Sequence, residues 1–359
     1  MKYQYWLSNV KGMTSGKILC MQNEVEGAQE IYGLSDAALR KIKGITAADA
    51  EAIIESRKTW NLDEELFKLR ERGIGFVCRE QKIYPERLNQ IRNPPYALYY
   101  IGELPDLTRK TVAIVGARDC TNYGAQVAEK LGYALGQQGV NVVSGLARGV
   151  DAEAHLGCLR AHGRTYAVLG NGINLCYPTQ NRYIYDQIPR MGGIISEYPP
   201  DVQPLPGFFP NRNRIIAALC DTVIVAEARL ESGSLITADF AMEQGKDVYA
   251  VPGRITDMMS GGCNRLIQQG AGIILSVKDF LKEYLMLDYK HPVQMDFNKN
   301  LLEKDELMVY SLLDFCPIGL GSLMEMTKLP VDELLNILDS LGQKGFIKEA
   351  VPNYFVRTL

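Results

Sequence analysis

Residues 111–149 read "TVAIVGARDCTNYGAQVAEKLGYALGQQGVNVVSGLARG". Two apolar runs, TVAIVG (111–116) and VNVVSG (140–145), each end in glycine. Between them, 122–138 has the spacing of a helix. The apolar runs do not alternate with polar residues, so both faces of each strand are buried, as in a parallel sheet covered on two sides. The unit recurs. TYAVLG (165–170), GGIISE (192–197), DTVIVAEA (221–228), DVYAVPG (247–253) and GIILS (272–276) read as strands. Helical patterns stand at 150–162, near 180–190, at 234–245 and at 261–270. The expected fold class is α/β: a doubly wound, Rossmann-like parallel sheet with right-handed crossovers.

The flanks read differently. The chain has 359 residues, more than one small core needs. Residues 1–82 are expected to form a helical module. Within it "LRKIKGITAADAEAIIESR" (39–57) has the helix, Gly44 turn and helix of a helix-hairpin-helix. The sheet domain is placed at 83–286, entered through the proline-rich, aromatic connector 83–107. Residues 287–300 read as a linker. In 301–359, three helical patterns and a closing hairpin give the layout of a winged helix. No run of 18 apolar residues predicts a membrane span, and the start has no apolar leader core. The 8 cysteines form no CxxC pair, which argues for a reduced, cytoplasmic chain without structural metal.

Net charge is −3, so any polyanion surface must be local. The C-terminal 59 residues are acidic, with 5 basic and 9 acidic side chains. In open parallel sheets ligands bind beyond the carboxyl ends of the strands. Those ends read Gly116-Ala117-Arg118, Ser144-Gly145, Gly170-Asn171-Gly172, Ser232-Gly233-Ser234 and Gly253-Arg254. Glycine lets backbone amides approach an anion, and helix starts add unpaired N–H groups. Several such mouths in a row predict a long anion crevice.

"GARDCTNYGAQVA" after the first strand is not GxGxxG, because Arg118 interrupts it, and no GxxxxGK[ST] occurs. No nucleotide cofactor is expected. Asp151 and His155 share a helix face, yet the chain has only 3 histidines, so a hydrogen-bonded anchor outweighs a catalytic pair. Glu197 and Glu227 are expected to hold an arginine or cap a turn. In "FFPNRNRIIAAL" (208–219), Asn211 or Asn213 is expected to cap a helix. Arg212 and Arg214 are two apart, so one faces the crevice and the other the interior. Phe208 and Phe209 wedge the loop or offer a stacking surface.

The ordered motifs VAIVGAR, SGLARGVDAEAH, LGNGINLCYP, FPNRNRIIAAL, EARLESGSLITADFAMEQGKDVYAVPG and GGCNRLIQQGA resemble the DprA/Smf family (DNA processing protein A). The resemblance covers roughly 84–280. It implies a single-stranded DNA-binding recombination mediator, with no turnover chemistry, that protects the strand, dimerises and helps load RecA recombinase, as in natural transformation. The N-terminal module looks like that family's SAM or helix-hairpin-helix module. The family's DNA-contact arginine falls on Arg118. Its phosphate pocket falls on Gly116, Ala117, Ser144, Gly145, Gly170, Asn171 and Gly172. Many members carry a DNA-contacting lysine where this chain has Thr179, a departure that Arg182 could offset. Tyr177 is expected to stack on a base, and Asn211, Arg212, Arg214, Ser232, Gly233 and Ser234 to wall the crevice. Asn264, Ile267 and Ile273 map to the dimer surface, and Met242 and Gln268 to the recombinase contact. A nucleotide phosphoribohydrolase of the Lonely-guy type, on a related fold, is the alternative. Its PGGxGTxxE signature is missing from 227–243.

Overall fold

The computed structural model describes residues 1–286 and 302–358. The expected linker, 287–300, lies outside the described residues. Six helices open the chain: α1 (Lys2–Asn9), α2 (Ser15–Gln22), α3 (Gly27–Gly33), α4 (Asp36–Leu39), α5 (Ala47–Thr59) and α6 (Leu62–Glu71). Two strands, β1 (Gly75–Cys78) and β2 (Ala97–Gly102), pair antiparallel. Then strands and helices alternate: β3 (Thr111–Val115), α7 (Asn122–Gln137), β4 (Asn141–Ser144), α8 (Val150–Arg160), β5 (Thr165–Leu169), α9 (Arg182–Met191) and β6 (Gly193–Ser196). The second half holds α10 (Phe208–Leu219), β7 (Thr222–Val225), α11 (Gly233–Glu243), β8 (Asp247–Ala250), α12 (Gly261–Gln268), β9 (Gly272–Ile273) and α13 (Val277–Leu285).

The nine strands lie in the order β1-β2-β6-β5-β4-β3-β7-β8-β9. From β6 to β9 every pair is parallel. The chain runs outward from β3 to β6 on one side, then returns and runs from β7 to β9 on the other. Direction therefore switches beside β3, where a doubly wound sheet opens a crevice at its carboxyl edge. Strands β3 to β7 are buried on both faces, which is why their sequences run apolar without alternation. Helices α7, α8 and α13 cover one face and α10, α11 and α12 the other.

One boundary differs from the sequence expectation. Strand β1 falls inside the span read as purely helical, and β2 inside the span read as a connector. β1 directly follows a run of helices and β2 follows Pro94 and Pro95, so neither stands in the strand–helix alternation that marks β3 to β9. The helical module is also not separate. Trp6, Met21, Ile31 and Ile53 are fully buried in one core that continues through Phe76 and Tyr99 to Ile188. The helix before Gly44 is only the four residues of α4.

Past the linker stand α14 (Lys304–Leu312), β10 (Ile318–Gly319), α15 (Leu320–Thr327), α16 (Val331–Gln343), β11 (Ile347–Val351) and β12 (Tyr354–Arg357). The three strands pair antiparallel in the order β10-β12-β11. The three expected helices and the hairpin are present, with the short β10 added. This unit has its own core around Val309, Leu323, Leu334 and Leu341.

Helices α7 and α8 pack backbone to backbone. A Cβ at Gly132 would collide with the Ala154 carbonyl, and one at Gly157 with the Glu129 carbonyl. Neither obstacle is a flexible side chain. In an open helix Gly→Ala gains about 1 kcal/mol. Here we expect Gly132→Ala to lose roughly 1–3 kcal/mol, as overpacking does. The midpoint of urea unfolding measures it, and a midpoint at or above wild type would contradict this packing.

Candidate nucleic-acid interface

The carboxyl ends of β3, β4 and β7 meet the starts of α10 and α11 around a cleft of about 450 Å³. A second cleft, of about 320 Å³, shares Arg118, Ala147, Tyr177, Phe209 and Arg212 with it. The two form one trough at the switch point of the sheet.

Its upper wall is aromatic and cationic. Arg118 is exposed, and its guanidinium lies 5.5 Å from the centre of the Phe209 ring. Among the described residues it has no ion pair. Tyr177 is 44% exposed, with its ring 5.6 Å from Phe209 and tilted 33°. The opposite wall is the start of α11, where the Ser232 hydroxyl accepts from the Ser234 amide. Gly233 and Ser234 line the trough there, at the positive end of the helix dipole.

The floor is built from the protein's own charges. The Asp151 carboxylate accepts from the amides of Gly145 (3.0 Å) and Ala147 (3.4 Å). Arg212, 5% exposed, donates to the carbonyls of Gly145 (2.8 Å) and Val168 and to the Asn213 side chain. Burial lowers Arg212 to about 10, against the opposing pull of Asp151. Burial likewise raises Asp151, outweighing the Arg212 charge and the two amides. His155 is pushed down to about 3 by burial and then by Arg212. Its Nδ1 lies 2.6 Å from the Thr165 hydroxyl, so it is a neutral core residue.

These contacts revise the phosphate pocket expected from the sequence. The Gly145 amide is taken by Asp151, and Ser144 is buried with its hydroxyl on the Ile114 carbonyl (2.6 Å). The Ala117 amide is taken by the Glu227 carbonyl (2.7 Å), while Gly116 lines the trough. Gly170 lies beneath Phe209, and Gly172 beneath the backbone of 199–202. Asn171 is buried, its side chain donating to the Gly172 and Leu175 carbonyls. That strand end is closed over because the 198–209 segment crosses it.

Arg214 does not wall the trough. It is buried in a two-point pair with Glu197, at 2.8 and 2.7 Å. Ser15 of the helical module donates to the same carboxylate (2.7 Å). Glu227 accepts from the amide and hydroxyl of Thr121 at the start of α7. Asn211 does not cap α10. Gly207 precedes the helix, and Asn211 donates to the Tyr198 hydroxyl (3.3 Å). Arg182 is exposed but bound to Asp186 (3.0 Å), and it lines neither cleft, whereas Thr179 lines the second. Sequence reasoning missed Asn181. It donates to the Leu146 and Ala147 carbonyls and holds Leu146 at φ 56, a left-handed conformation. A lone asparagine in TQNRY gives no signal of that.

Of the expected interface residues, Met242, Gln268 and Ile273 are exposed and Ile267 is half-buried. Asn264 is spent internally, bonded in both directions to the Gly253 backbone. Among the described residues no cluster of three or more His, Cys, Asp or Glu could hold a metal ion, and no helix is long and apolar enough to cross a membrane.

Residues 75–285, from β1 through α13, match the family model of the DNA recombination-mediator protein A. The chain belongs to that family. Within the recombination-mediator family, it is 39% identical over 282 residues to the DNA processing protein DprA of Streptococcus pneumoniae, covering 79% of this chain and 98% of that one. It is 39% identical to Protein Smf of a Synechocystis species, over 77% of this chain and 71% of that one. The crystal structure of the pneumococcal protein superposes with a TM-score of 0.68 at 37% identity, over 79% of this chain and 98% of that chain. DNA processing protein A of Helicobacter pylori, solved to explain its single-stranded DNA binding mode, superposes with a TM-score of 0.55 at 32% identity, over 59% of this chain and 96% of that chain.

Removing Arg212 leaves the Asp151 carboxylate buried without a counter-charge. Arg212→Met is expected to cost roughly 1–3 kcal/mol for each of the two buried carbonyls, Gly145 and Val168, left without its donor. Urea unfolding at neutral pH checks this, and a loss under about 1 kcal/mol would show that Arg212 is not the anchor of the floor.

Proposed function

We propose that the chain binds single-stranded DNA along the trough and acts as a recombination mediator without turnover chemistry. The observation that carries this is the ledge of Tyr177, Phe209 and Arg118 at the switch point of the sheet. Bases stack on the two rings, each such contact worth roughly 1–3 kcal/mol. The guanidinium of Arg118 and the start of α11 take phosphates. None of these groups reads a base edge, so binding is indifferent to sequence. Asp151, the one carboxylate lining the trough among the described residues, is engaged by two amides, which leaves it poorly placed as a general base. The binding reported for the Helicobacter pylori relative supports the reading. With it go the expected roles of this family: protection of the strand, loading of RecA, and work in the cytoplasm.

Dimerisation is proposed through the free edge of the sheet. β9 is the last strand, and Ile273 (44%) and Leu275 are exposed beside it. An exposed apolar edge strand is a ready pairing surface. Ile267 stays with that dimer surface, and Met242 and Gln268 remain as candidates for the recombinase contact.

Two experiments test this. Arg118→Ala is expected to weaken binding of an oligothymidylate roughly tenfold or more, the worth of a charge-assisted contact. It should also flatten the dependence of log affinity on log salt by about 0.7. Equal binding by both proteins would defeat the assignment of the trough. Ile273→Asp is expected to turn a sedimenting dimer into a folded monomer whose unfolding midpoint no longer depends on protein concentration. A dimer that survives it places the interface elsewhere.

A further inference from the structure

We propose that the strand track runs on past the trough, over the carboxyl ends of β7 and β8, and that Asp314 of the C-terminal unit occupies it until DNA arrives. The inference rests on the reading of the trough as a strand site.

The loop after β7 reaches the trough wall at Ser232. Just before that, it is locked to the loop after β8. The Ala228 amide donates to the Met259 carbonyl (2.9 Å), and the Gly262 amide to the Ala228 carbonyl (2.8 Å). The two loops form one ledge. It carries the guanidinium groups of Arg229 and Arg254 and the carboxylates of Glu231 and Asp257, all out in solvent. Among them stand Leu230, Ile255 and Met258, which are 55%, 97% and 74% exposed. The two guanidinium groups can hold phosphates, and the apolar side chains among them can pack against the faces of bases. The ledge adjoins the trough, and this continuity selects a polynucleotide as its occupant.

The second half of the proposal is a contact already made. Asp314 forms an ion pair with Arg254, so a carboxylate stands where a phosphate would. The C-terminal unit also touches the sheet domain through Tyr123 and Phe315, with ring centres 5.4 Å apart, and through Gln126, which donates to the Arg357 carbonyl (3.0 Å). An exposed ion pair is weak, so a phosphate can displace it. The unit carries 9 acidic and 5 basic residues, so an incoming strand also repels it.

The test is fluorescence anisotropy on the full chain with labelled oligothymidylates of graded length. Asp314→Asn keeps the side-chain acceptor that Asp314 gives the Phe315 amide (2.8 Å) and removes the charge. It is expected to bind the longer oligomers about two- to fivefold tighter than wild type, the factor one exposed pair allows. The shortest oligomers, which fill only the trough, should bind equally. Adding Arg254→Ala to that variant should abolish the gain. Equal affinity at every length, or a gain that survives the second substitution, overturns the proposal. If wild type binds and Asp314→Asn adds nothing, only the ledge falls. If neither protein binds any oligomer, the reading of the trough falls with it.

Discussion

The site stands on the buried contact between Asp151, the 145–147 backbone and Arg212. A glycine-rich loop after a parallel strand is normally free to cradle a foreign anion. In this chain the anion is built in. Asp151 takes two amides of the loop, and Arg212 takes its carbonyl from below. Desolvation disfavours both charges. Each is tolerable only with the other present and with its remaining hydrogen bonds made. The loop is thus rigid before any ligand arrives, and Asn181 closes its outer side.

This arrangement divides the work among arginines of one short segment and its neighbours. Arg212 is spent on the floor. Arg214 is spent on Glu197, which also ties down Ser15 and so joins the helical module to the start of α10. With both side chains turned inward, α10 presents Phe209 to the trough. Arg118 can then lie across that ring with its charge uncommitted. An aromatic surface held on a rigid helix start loses little entropy when a base settles on it.

The layout of the sheet was legible because burial on two faces leaves uninterrupted apolar strands, and because each strand ends in small residues. The crevice at those ends was legible for the same reason. The parts that escaped are those decided by three-dimensional closure. The spacing of Arg212 and Arg214 predicts that one turns inward, but a guanidinium on the floor and one on the rim look alike in the sequence, so that both turn inward could not be read. A glycine whose amide is taken by a distant carboxylate looks like one whose amide is open. The 170–172 turn reads as a phosphate mouth until the 199–209 segment is seen to cover it. β1 and β2 escaped because neither stands in the strand–helix alternation that marked β3 to β9.

Charge alone would make this chain a poor partner for DNA. Its net charge is −3, and among trough residues only Arg118 presents a guanidinium without an acid beside it, since Arg148 is held by Asp119. Screening at physiological salt acts over about 8 Å, so remote lysines cannot compensate. On the proposed reading, affinity comes in large part from stacking on Tyr177 and Phe209 and from the fixed dipoles of α11. Those terms do not depend on releasing counterions. A mediator must hold a strand and also surrender it to another protein. A grip made of a few stacked bases and a few exposed guanidinium groups can be undone one nucleotide at a time, whereas a trench of lysines would have to release its whole counter-charge at once.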